Sequence, residues 1–219
     1  MVADAFRSVA DGGAAVLVAS DPVAALGAMG RQALQQLGAK VVGVTGSYGK
    51  TSTKDSIVAV LRAAGVRAEG TPGNRNTEVG VPLSILGLPE TTQVAVIEMG
   101  MNHLGEIASY CRYAPPHIAM ITNIGTAHAG NVGGIEGVAR AKSEIFAALD
   151  ATGIAVVNAH RGAKCGAAIG APRDEHARRI VCGGEPRHSH RIAVRGRGWA
   201  IHRTARAAIW RYQLVRTRG

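Results

Sequence analysis

A short apolar strand that runs into a glycine-containing turn and then a helix most constrains the fold of this chain. The apolar segment is 41–44, the turn contains Gly46 and Gly49, and Lys50 opens a run of hydroxyl residues. Glycines let backbone N–H groups crowd around an anion, and the following helix presents its positive end. The segment predicts a phosphate-binding loop, with Lys50 at the outer phosphates and the Thr51 hydroxyl on Mg²⁺. The general pattern has a further glycine where this chain has a valine, so a structural strand–turn–helix stays open.

Strand and helix patterns alternate along the first 158 residues. Apolar runs bounded by turn residues predict strands at 14–19, 41–44, 93–99, 118–124 and 154–158. Helical periodicity predicts helices at 23–37, 53–64, 79–86, 105–113 and 135–149. This alternation is typical of an α/β domain with a mostly parallel sheet and helices on both faces.

Three chemically suggestive features follow predicted strand ends. They are the phosphate loop (residues 45–51), Glu98 and Asn123. Ligands of parallel α/β sheets bind at the carboxyl ends of the strands. We therefore expect these three features to share one edge of the sheet.

The excess of basic residues belongs to the last third of the chain. Residues 1–150 contain 11 Lys and Arg against 12 Asp and Glu, whereas residues 151–219 contain 14 against 3. The net charge of +10 is therefore no evidence for a nucleic-acid partner of the phosphate loop, and we regard nucleic acid as a disfavoured partner. A basic nucleic-acid-binding arm at 160–219 stays open as an alternative, which salt-dependent DNA affinity lost on deleting that segment would identify.

Cysteine usage and hydropathy set expectations for the compartment. The three cysteines form no C-x-x-C pair, and no apolar run approaches the length of a membrane span. Asp4 precedes the first basic residue, so the N-terminus lacks the basic region of a signal peptide. We expect a cytoplasmic protein without a structural zinc site or a membrane partner.

Two residues have chemistry suited to a metal or phosphate site. Glu98 ends an apolar strand, where a carboxylate is suited to Mg²⁺; an exposed strand-end acid is the alternative. His128 lies just past another strand, where an imidazole is able to bind a metal or a phosphate. A loop histidine with neither role is the alternative.

Lys142 lies on the apolar side of its predicted helix. At roughly 100° per residue it is only about 40° from Val138, inside the apolar stripe. A lysine that faces the interior must be paired, deprotonated or modified, because an unpaired buried ammonium is costly. A side chain that reaches a nearby solvent edge is the alternative.

A polar loop (residues 71–77) completes the set of candidates. It contains Asn74, Asn76 and Thr77 beside one arginine, a composition suited to a polar ligand. Ordinary turn chemistry explains the same composition equally well.

Taken together, these stretches resemble the Mur ligases, the ATP-dependent amide-forming enzymes of peptidoglycan synthesis. The phosphate loop is similar to theirs, which commonly lacks the first glycine; its residues are Thr45, Gly46, Ser47, Tyr48, Gly49, Lys50 and Thr51. The stretches 71–82, 98–107, 121–128 and 141–146 are similar to the family member that adds D-alanyl-D-alanine to UDP-N-acetylmuramoyl-tripeptide. Another Mur ligase or a folylpolyglutamate-type ligase is the nearest alternative.

The resemblance implies an arrangement of domains. Residues 39–159 would form the P-loop NTPase-like central domain, which binds ATP. Residues 1–38 would be a remnant of the UDP-sugar-binding domain with its linker helix. Residues 160–219 would be a basic tail, poorly ordered or altered, in which no motif of the family's C-terminal domain is recognised.

The resemblance also implies the role of each candidate residue. The phosphate loop would bind ATP, with Lys50 on the β- and γ-phosphates. Thr51 and Glu98 would hold one Mg²⁺, and His128 would bind a second. Lys142 would be carbamylated, which turns a cation into a metal-binding anion.

The implied reaction joins two substrates by way of an acyl phosphate. Asn74, Asn76 and Thr77 would lie towards the UDP-N-acetylmuramoyl-tripeptide, and D-alanyl-D-alanine would supply the amine. Because the C-terminal motifs are not recognised, we expect the isolated chain to bind ATP·Mg²⁺ weakly and to ligate slowly or not at all. We also expect a monomer. A non-catalytic nucleotide-binding remnant is the alternative.

Overall fold

The computed structural model describes residues 18–158 and, beyond them, the backbone of three strands at 179–183, 199–204 and 211–216. The helices are α1 Pro22–Leu37, α2 Lys50–Ala63, α3 Gly80–Leu86, α4 Glu106–Tyr113, α5 Ala129–Val132 and α6 Gly134–Ala147. The strands are β1 Lys40–Thr45, β2 Ala68–Gly70, β3 Val94–Glu98, β4 Ile118–Ile121, β5 Ile154–Asn158, β6 Arg179–Gly183, β7 Trp199–Thr204 and β8 Arg211–Arg216.

Six of these strands form one sheet in the order β2-β3-β1-β4-β5-β6. The pairs β2–β3, β3–β1, β1–β4 and β4–β5 are all parallel. Parallel neighbours need crossover connections, which the helices supply. The predicted α/β fold with a mostly parallel sheet is therefore confirmed.

The chain divides into two compact units, residues 1–182 and 183–219. The first contains the helices and the parallel strands. In the second, β7 and β8 form a two-stranded antiparallel sheet. No helix in the part of the chain that the structure describes is long and apolar enough to cross a membrane.

Helices cover both faces of the parallel sheet because side chains alternate along each strand. Val41 and Ile97 pack into the larger core cluster, to which α1, α3, α4 and α6 contribute. Val42 and Val96 point to the other face, where they meet Val58 of α2. Alternate residues of a strand point to opposite faces, so strands covered on both faces are apolar throughout.

The first described helix begins and ends where the sequence places its capping residues. Asp21 accepts hydrogen bonds from the backbone N–H groups of Val23 (3.1 Å) and Ala24 (3.0 Å), and Pro22 occupies the first turn. Gly38 follows the helix with φ of 62°, in the left-handed region. Both signals match the usual rules for helix starts and stops.

Two boundaries beside the phosphate loop differ from the prediction. Helix α2 begins at Lys50 rather than at residue 53, because Gly49 takes φ of 75° and starts the helix directly after the loop. Strand β4 ends at Ile121 rather than at residue 124, because Thr122 and Asn123 turn to bond the phosphate loop. Both differences place polar groups at the carboxyl edge of the sheet.

Within residues 18–158, two short elements were not predicted at all. Strand β2 has three residues and α5 has four, too few for a periodic pattern to identify. Of the strand predicted at 14–19, residues 14–17 lie outside the described residues, and residues 18–19 are not in a strand. The expectation for 160–219 also falls mostly outside the described residues, apart from the backbone of the three strands there.

Candidate active site

The carboxyl ends of three adjacent strands meet at the candidate site. In the register of the sheet, Val44 of β1 is paired with Glu98 of β3, and Thr45 is paired with Ile121 of β4. Asn123 follows two residues after β4 ends. Thr45, Glu98 and Asn123 therefore share one edge of the sheet, as the sequence predicted.

The phosphate loop has the backbone shape that its glycines allow. Gly46 has φ of 153° and Gly49 has φ of 75°, both in a region that disfavours other residues. A Cβ on Gly46 would overlap the Thr122 hydroxyl. Lys50 Nζ donates to the Gly46 carbonyl (3.0 Å), so its ammonium folds back over the loop at the first turn of α2.

The segment after β4 holds the phosphate loop in place. Tyr48 N–H donates to Asn123 Oδ1 (3.0 Å), and Asn123 Nδ2 donates to the Tyr48 carbonyl (2.9 Å). Gly125 N–H donates to Ser47 Oγ (2.9 Å), and Ser47 N–H donates to the Asn123 carbonyl (3.1 Å). The sequence located Asn123 at a strand end but gave no signal for this pair of bonds, which depends on two strands lying side by side.

Glu98 presents an unsatisfied oxygen at this edge. The residue is 1% exposed, and its Oε1 accepts from Asn76 Nδ2 (2.7 Å). Its Oε2 is buried without a hydrogen-bond partner, as is Thr45 Oγ1. Buried polar atoms are nearly always partnered, so a carboxylate oxygen without a partner here is suited to bind a cation.

The donor set fits Mg²⁺ better than a metal held by protein ligands alone. Residues 18–158 contain no group of three or more His, Cys, Asp or Glu side chains that could hold a metal ion. Mg²⁺ is commonly bound by one or two carboxylates together with water and substrate phosphates. Glu98 beside the phosphate loop is compatible with that pattern.

A cavity of about 110 Å³ opens beside the phosphate loop. Five predicted site residues line it: Lys50, Asn76, Thr77, His128 and Lys142. Its other walls come from Gly100, Met101, Asn102, Glu106 and Tyr110, which the sequence analysis did not single out. Thr51, Glu98 and Asn74 are not among the lining residues, and Asn74 is exposed.

Lys142 is buried at the wall of this cavity. It is 1% exposed and lies on the inward face of α6 with Val138 and Ile145, as its position in the apolar stripe predicted. Within residues 18–158 its ammonium has no hydrogen-bond or ion-pair partner. Desolvation by burial, together with the charge of Lys50, lowers the pKa of Lys142 to about 8. The alternative of a side chain extended into solvent is wrong.

His128 has a left-handed backbone conformation, which is uncommon for a non-glycine residue although histidine adopts it more often than most. Its φ is 64°, which makes it the one non-glycine residue with positive φ in the described region. It precedes α5, and its exposed side chain lines the cavity. Such strain, of order 1 kcal/mol or more, tends to persist at functional sites.

Glu106 adds a negative charge to the wall. Burial raises its pKa, but hydrogen bonds from Asn102 N–H (2.7 Å) and from His103 (3.0 Å) outweigh that effect and leave the pKa below the ordinary value. The sequence gave no periodic or spacing signal for this residue. The cavity therefore brings two lysines and one carboxylate together.

Known proteins are similar to this chain in both sequence and fold. A model of the Mur ligase middle domain matches residues 44–182. The chain is 46% identical over 142 residues to the UDP-N-acetylmuramoyl-tripeptide--D-alanyl-D-alanine ligase of Bacillus subtilis. It is 42% identical over 143 residues to the ligase of the same name from Escherichia coli. Each alignment covers 65% of this chain and 31% of the relative, so the chain spans about a third of the length of these ligases.

Solved structures agree with the sequence matches. The MurF ligase from Thermotoga maritima, in complex with ADP, superposes with a TM-score of 0.70 and 31% identity, covering 85% of this chain and 43% of that protein. MurF from Acinetobacter baumannii gives 0.66 at the same identity, covering 90% and 43%. The middle-domain match extends past residue 159, into the segment that the sequence analysis assigned to the tail. Because that match covers more than half of the chain, this protein belongs to the Mur ligase family.

Proposed function

We propose that this chain carries the ATP- and Mg²⁺-binding part of a ligase that joins D-alanyl-D-alanine to UDP-N-acetylmuramoyl-tripeptide. The observation that supports it most is the single edge at which Lys50, the orphaned oxygen of Glu98 and the Lys142 cavity meet. The relatives with 38–46% identity carry the name of that ligase. A cytoplasmic, monomeric protein is part of this proposal.

The phosphate loop would bind the nucleotide. Backbone N–H groups at the start of α2 face the loop, where the helix dipole favours an anion. Lys50 would exchange its bond to the Gly46 carbonyl for contacts to the β- and γ-phosphates. Thr51 and Glu98 would hold one Mg²⁺, which offsets phosphate charge when bound.

The cavity would hold the reacting end of the tripeptide. In the first step a carboxylate oxygen of the substrate forms a bond to the γ-phosphorus, and the bond from phosphorus to ADP breaks. Lys50 would offset the charge that develops on the transferred phosphoryl group. Asn76 and Thr77, on the polar loop, would orient the substrate beside it.

The second step transfers the acyl group. The amine of D-alanyl-D-alanine attacks the acyl carbon, loses a proton to solvent and releases phosphate through a tetrahedral intermediate. His128 and a carbamylated Lys142 would hold a second Mg²⁺ at the cavity. We expect the isolated chain to complete this step slowly or not at all.

Titration calorimetry with ATP tests the nucleotide site directly. We expect saturable binding in the presence of Mg²⁺, and removal of the metal by EDTA should weaken it by about tenfold or more because the phosphate charge is no longer offset. D-Ala-D-Ala and UDP-N-acetylmuramoyl-tripeptide are then added, and phosphate release is measured. A chain that binds ATP equally well with and without Mg²⁺ would contradict the roles of Thr51 and Glu98.

Carbon-13 NMR in labelled bicarbonate tests the modification of Lys142. A neutral amine reacts with CO₂, forming an N–C bond and releasing one proton, and burial without a partner favours the neutral form. We expect one carbamate resonance in the chain at about pH 8, the value to which burial and the charge of Lys50 lower the pKa of Lys142. The Lys142→Arg variant should lack it. A resonance that survives in the variant would assign the carbamate to another amine.

A further inference from the structure

Lys54 is a buried lysine that the proposed chemistry does not use. It lies one turn after Lys50 on α2, and its side chain is 3% exposed. Its Nζ donates to the carbonyls of Thr71 (2.6 Å) and Gly73 (3.1 Å), and Asp55 Oδ1 lies 3.1 Å away. Two of these three contacts are to the start of the polar loop.

The stem of Lys54 reaches the polar loop over a glycine. A Cβ on Gly70 would lie 3.1 Å from Val58 and 3.4 Å from the Cδ of Lys54, so the lysine stem fills the space that a larger residue would need. The ammonium is thus enclosed between α2 and the polar loop. Charged groups are seldom this buried unless they are well partnered, as Lys54 is.

The polar loop in turn holds the carboxylate of Glu98. Glu98 N–H donates to Thr71 Oγ1 (2.9 Å), and Asn76 Nδ2 donates to Glu98 Oε1 (2.7 Å). Gly100 N–H donates to the Asn76 carbonyl (2.8 Å). Thr71 therefore accepts from Lys54 through its carbonyl and from Glu98 through its hydroxyl.

We propose that Lys54 is a positioning residue that ties the helix of the phosphate loop to the polar loop and thereby fixes where Glu98 presents its free oxygen. Resting on the proposed function, this inference predicts that Lys54 couples Mg²⁺ to nucleotide binding without contacting either. Its bonds fix the polar loop from one side, and Asn76 transmits that position to Glu98. A lysine that merely fills space would stabilise the fold and leave the coupling unchanged.

The chain offers a matched control on the same helix. Arg62 Nε donates to the Ala68 carbonyl (2.8 Å), and its Nη2 pairs with Glu69 (2.6 Å). Arg62 therefore also ties α2 to the β2 region, but both of its hydrogen-bond acceptors lie before the polar loop. Lys54→Met and Arg62→Met each remove one cation and one tether from α2.

Hydrogen exchange of the ligand-free chain tests the tether without reference to function. Because Gly100 N–H is held by the polar loop, we expect Lys54→Met to speed its exchange by about tenfold or more. The neighbouring amide of Met99, which donates to the Val44 carbonyl (2.9 Å), should be unchanged. In Arg62→Met, both amides should exchange at the same rates as in the parent chain. Equal exchange at Gly100 in Lys54→Met and the parent would overturn the proposal.

Calorimetry then tests the coupling. The affinity for ATP is measured with Mg²⁺ and with EDTA, and the ratio of the two values is the coupling. We expect Lys54→Met to reduce this ratio by about fivefold or more, while the affinity for ATP measured in EDTA changes less. Arg62→Met should have the same ratio as the parent chain. If Lys54→Met does not fold, Lys54→Arg, which keeps a cation with different donor geometry, should change exchange and coupling in the same directions.

The outcomes separate this inference from the function on which it rests. A parent chain that shows no binding of ATP contradicts the proposed function, and the coupling claim with it, whatever the exchange data show. If ATP binding depends on Mg²⁺ to the same extent in the parent chain and in Lys54→Met, the proposed function stands and the positioning role of Lys54 is overturned. Loss of coupling together with faster exchange at Gly100 supports both.

Discussion

Replacing Lys50 by alanine is expected to weaken binding of ATP·Mg²⁺ by about 100-fold, close to 2.7 kcal/mol. Lys50 lies half-buried over the phosphate loop, and among the described residues its Nζ has one hydrogen-bond partner, the Gly46 carbonyl. The ammonium is therefore available to the phosphates, where a charge-assisted bond in a partly enclosed site is stronger than one in water. Titration calorimetry with both proteins measures the difference.

Lys40→Ala provides the matched control for that experiment. Lys40 is an exposed lysine at the opposite end of β1, so its replacement changes the net charge equally but leaves the phosphate loop untouched. We expect its affinity for ATP·Mg²⁺ to stay within about twofold of the parent, since exposed charges at that range are largely screened by salt. Equal losses in both variants would mean that general charge, and not Lys50, attracts the nucleotide.

Replacing Gly137 by alanine is expected to lower the free energy of unfolding by about 3 kcal/mol, although helix propensity alone predicts a gain. Gly137 is a buried residue of α6 without a positive φ. A Cβ there would overlap the Val132 carbonyl at the end of α5, and backbone atoms of a short connection cannot easily move aside. Because His128 precedes α5 and Lys142 lies on α6, both cavity residues should shift. Urea unfolding and thermal melting measure the loss, which corresponds to roughly 6–12 °C.

Gly130→Ala is the control that separates the overlap with the Val132 carbonyl from the general effect of replacing a helical glycine by alanine. Gly130 also lies in a helix, its φ is not positive, and a Cβ there would meet nothing within 4 Å. We expect a change between zero and a stabilisation of about 1 kcal/mol. A Gly137→Ala variant as stable as Gly130→Ala would show that α5 and α6 do not pack as closely as the structure has them.

Much of the site was predictable because its signals are local in sequence. The phosphate loop depends on a strand, two glycines and a helix start within a dozen residues. The angle between Lys142 and Val138 on the helix was enough to predict that Lys142 is buried, and the structure confirms that burial. The shared edge of Thr45, Glu98 and Asn123 followed from the rule that parallel strands end on the same side.

The contacts that join separate segments were not predictable in this way. The bonds between Asn123 and Tyr48 depend on β4 lying next to β1. The Lys54 tether depends on where the loop after β2 passes over α2, and β2 itself is too short to leave a pattern. Glu106 lies in the stretch 98–107 that resembles the family, but no local pattern indicated that its carboxylate would line the cavity.

By itself the sequence determined the α/β class, the phosphate loop, the edge that carries the site and the inward position of Lys142. Each of these follows from backbone conformations and side-chain periods that a few neighbouring residues set. Only the tertiary structure decided which oxygen of Glu98 lacks a partner, which residues close the cavity around Lys142 and which buried lysine joins α2 to the polar loop. Those outcomes depend on strand order and on packing distances between segments far apart in the chain, and no local pattern encodes them.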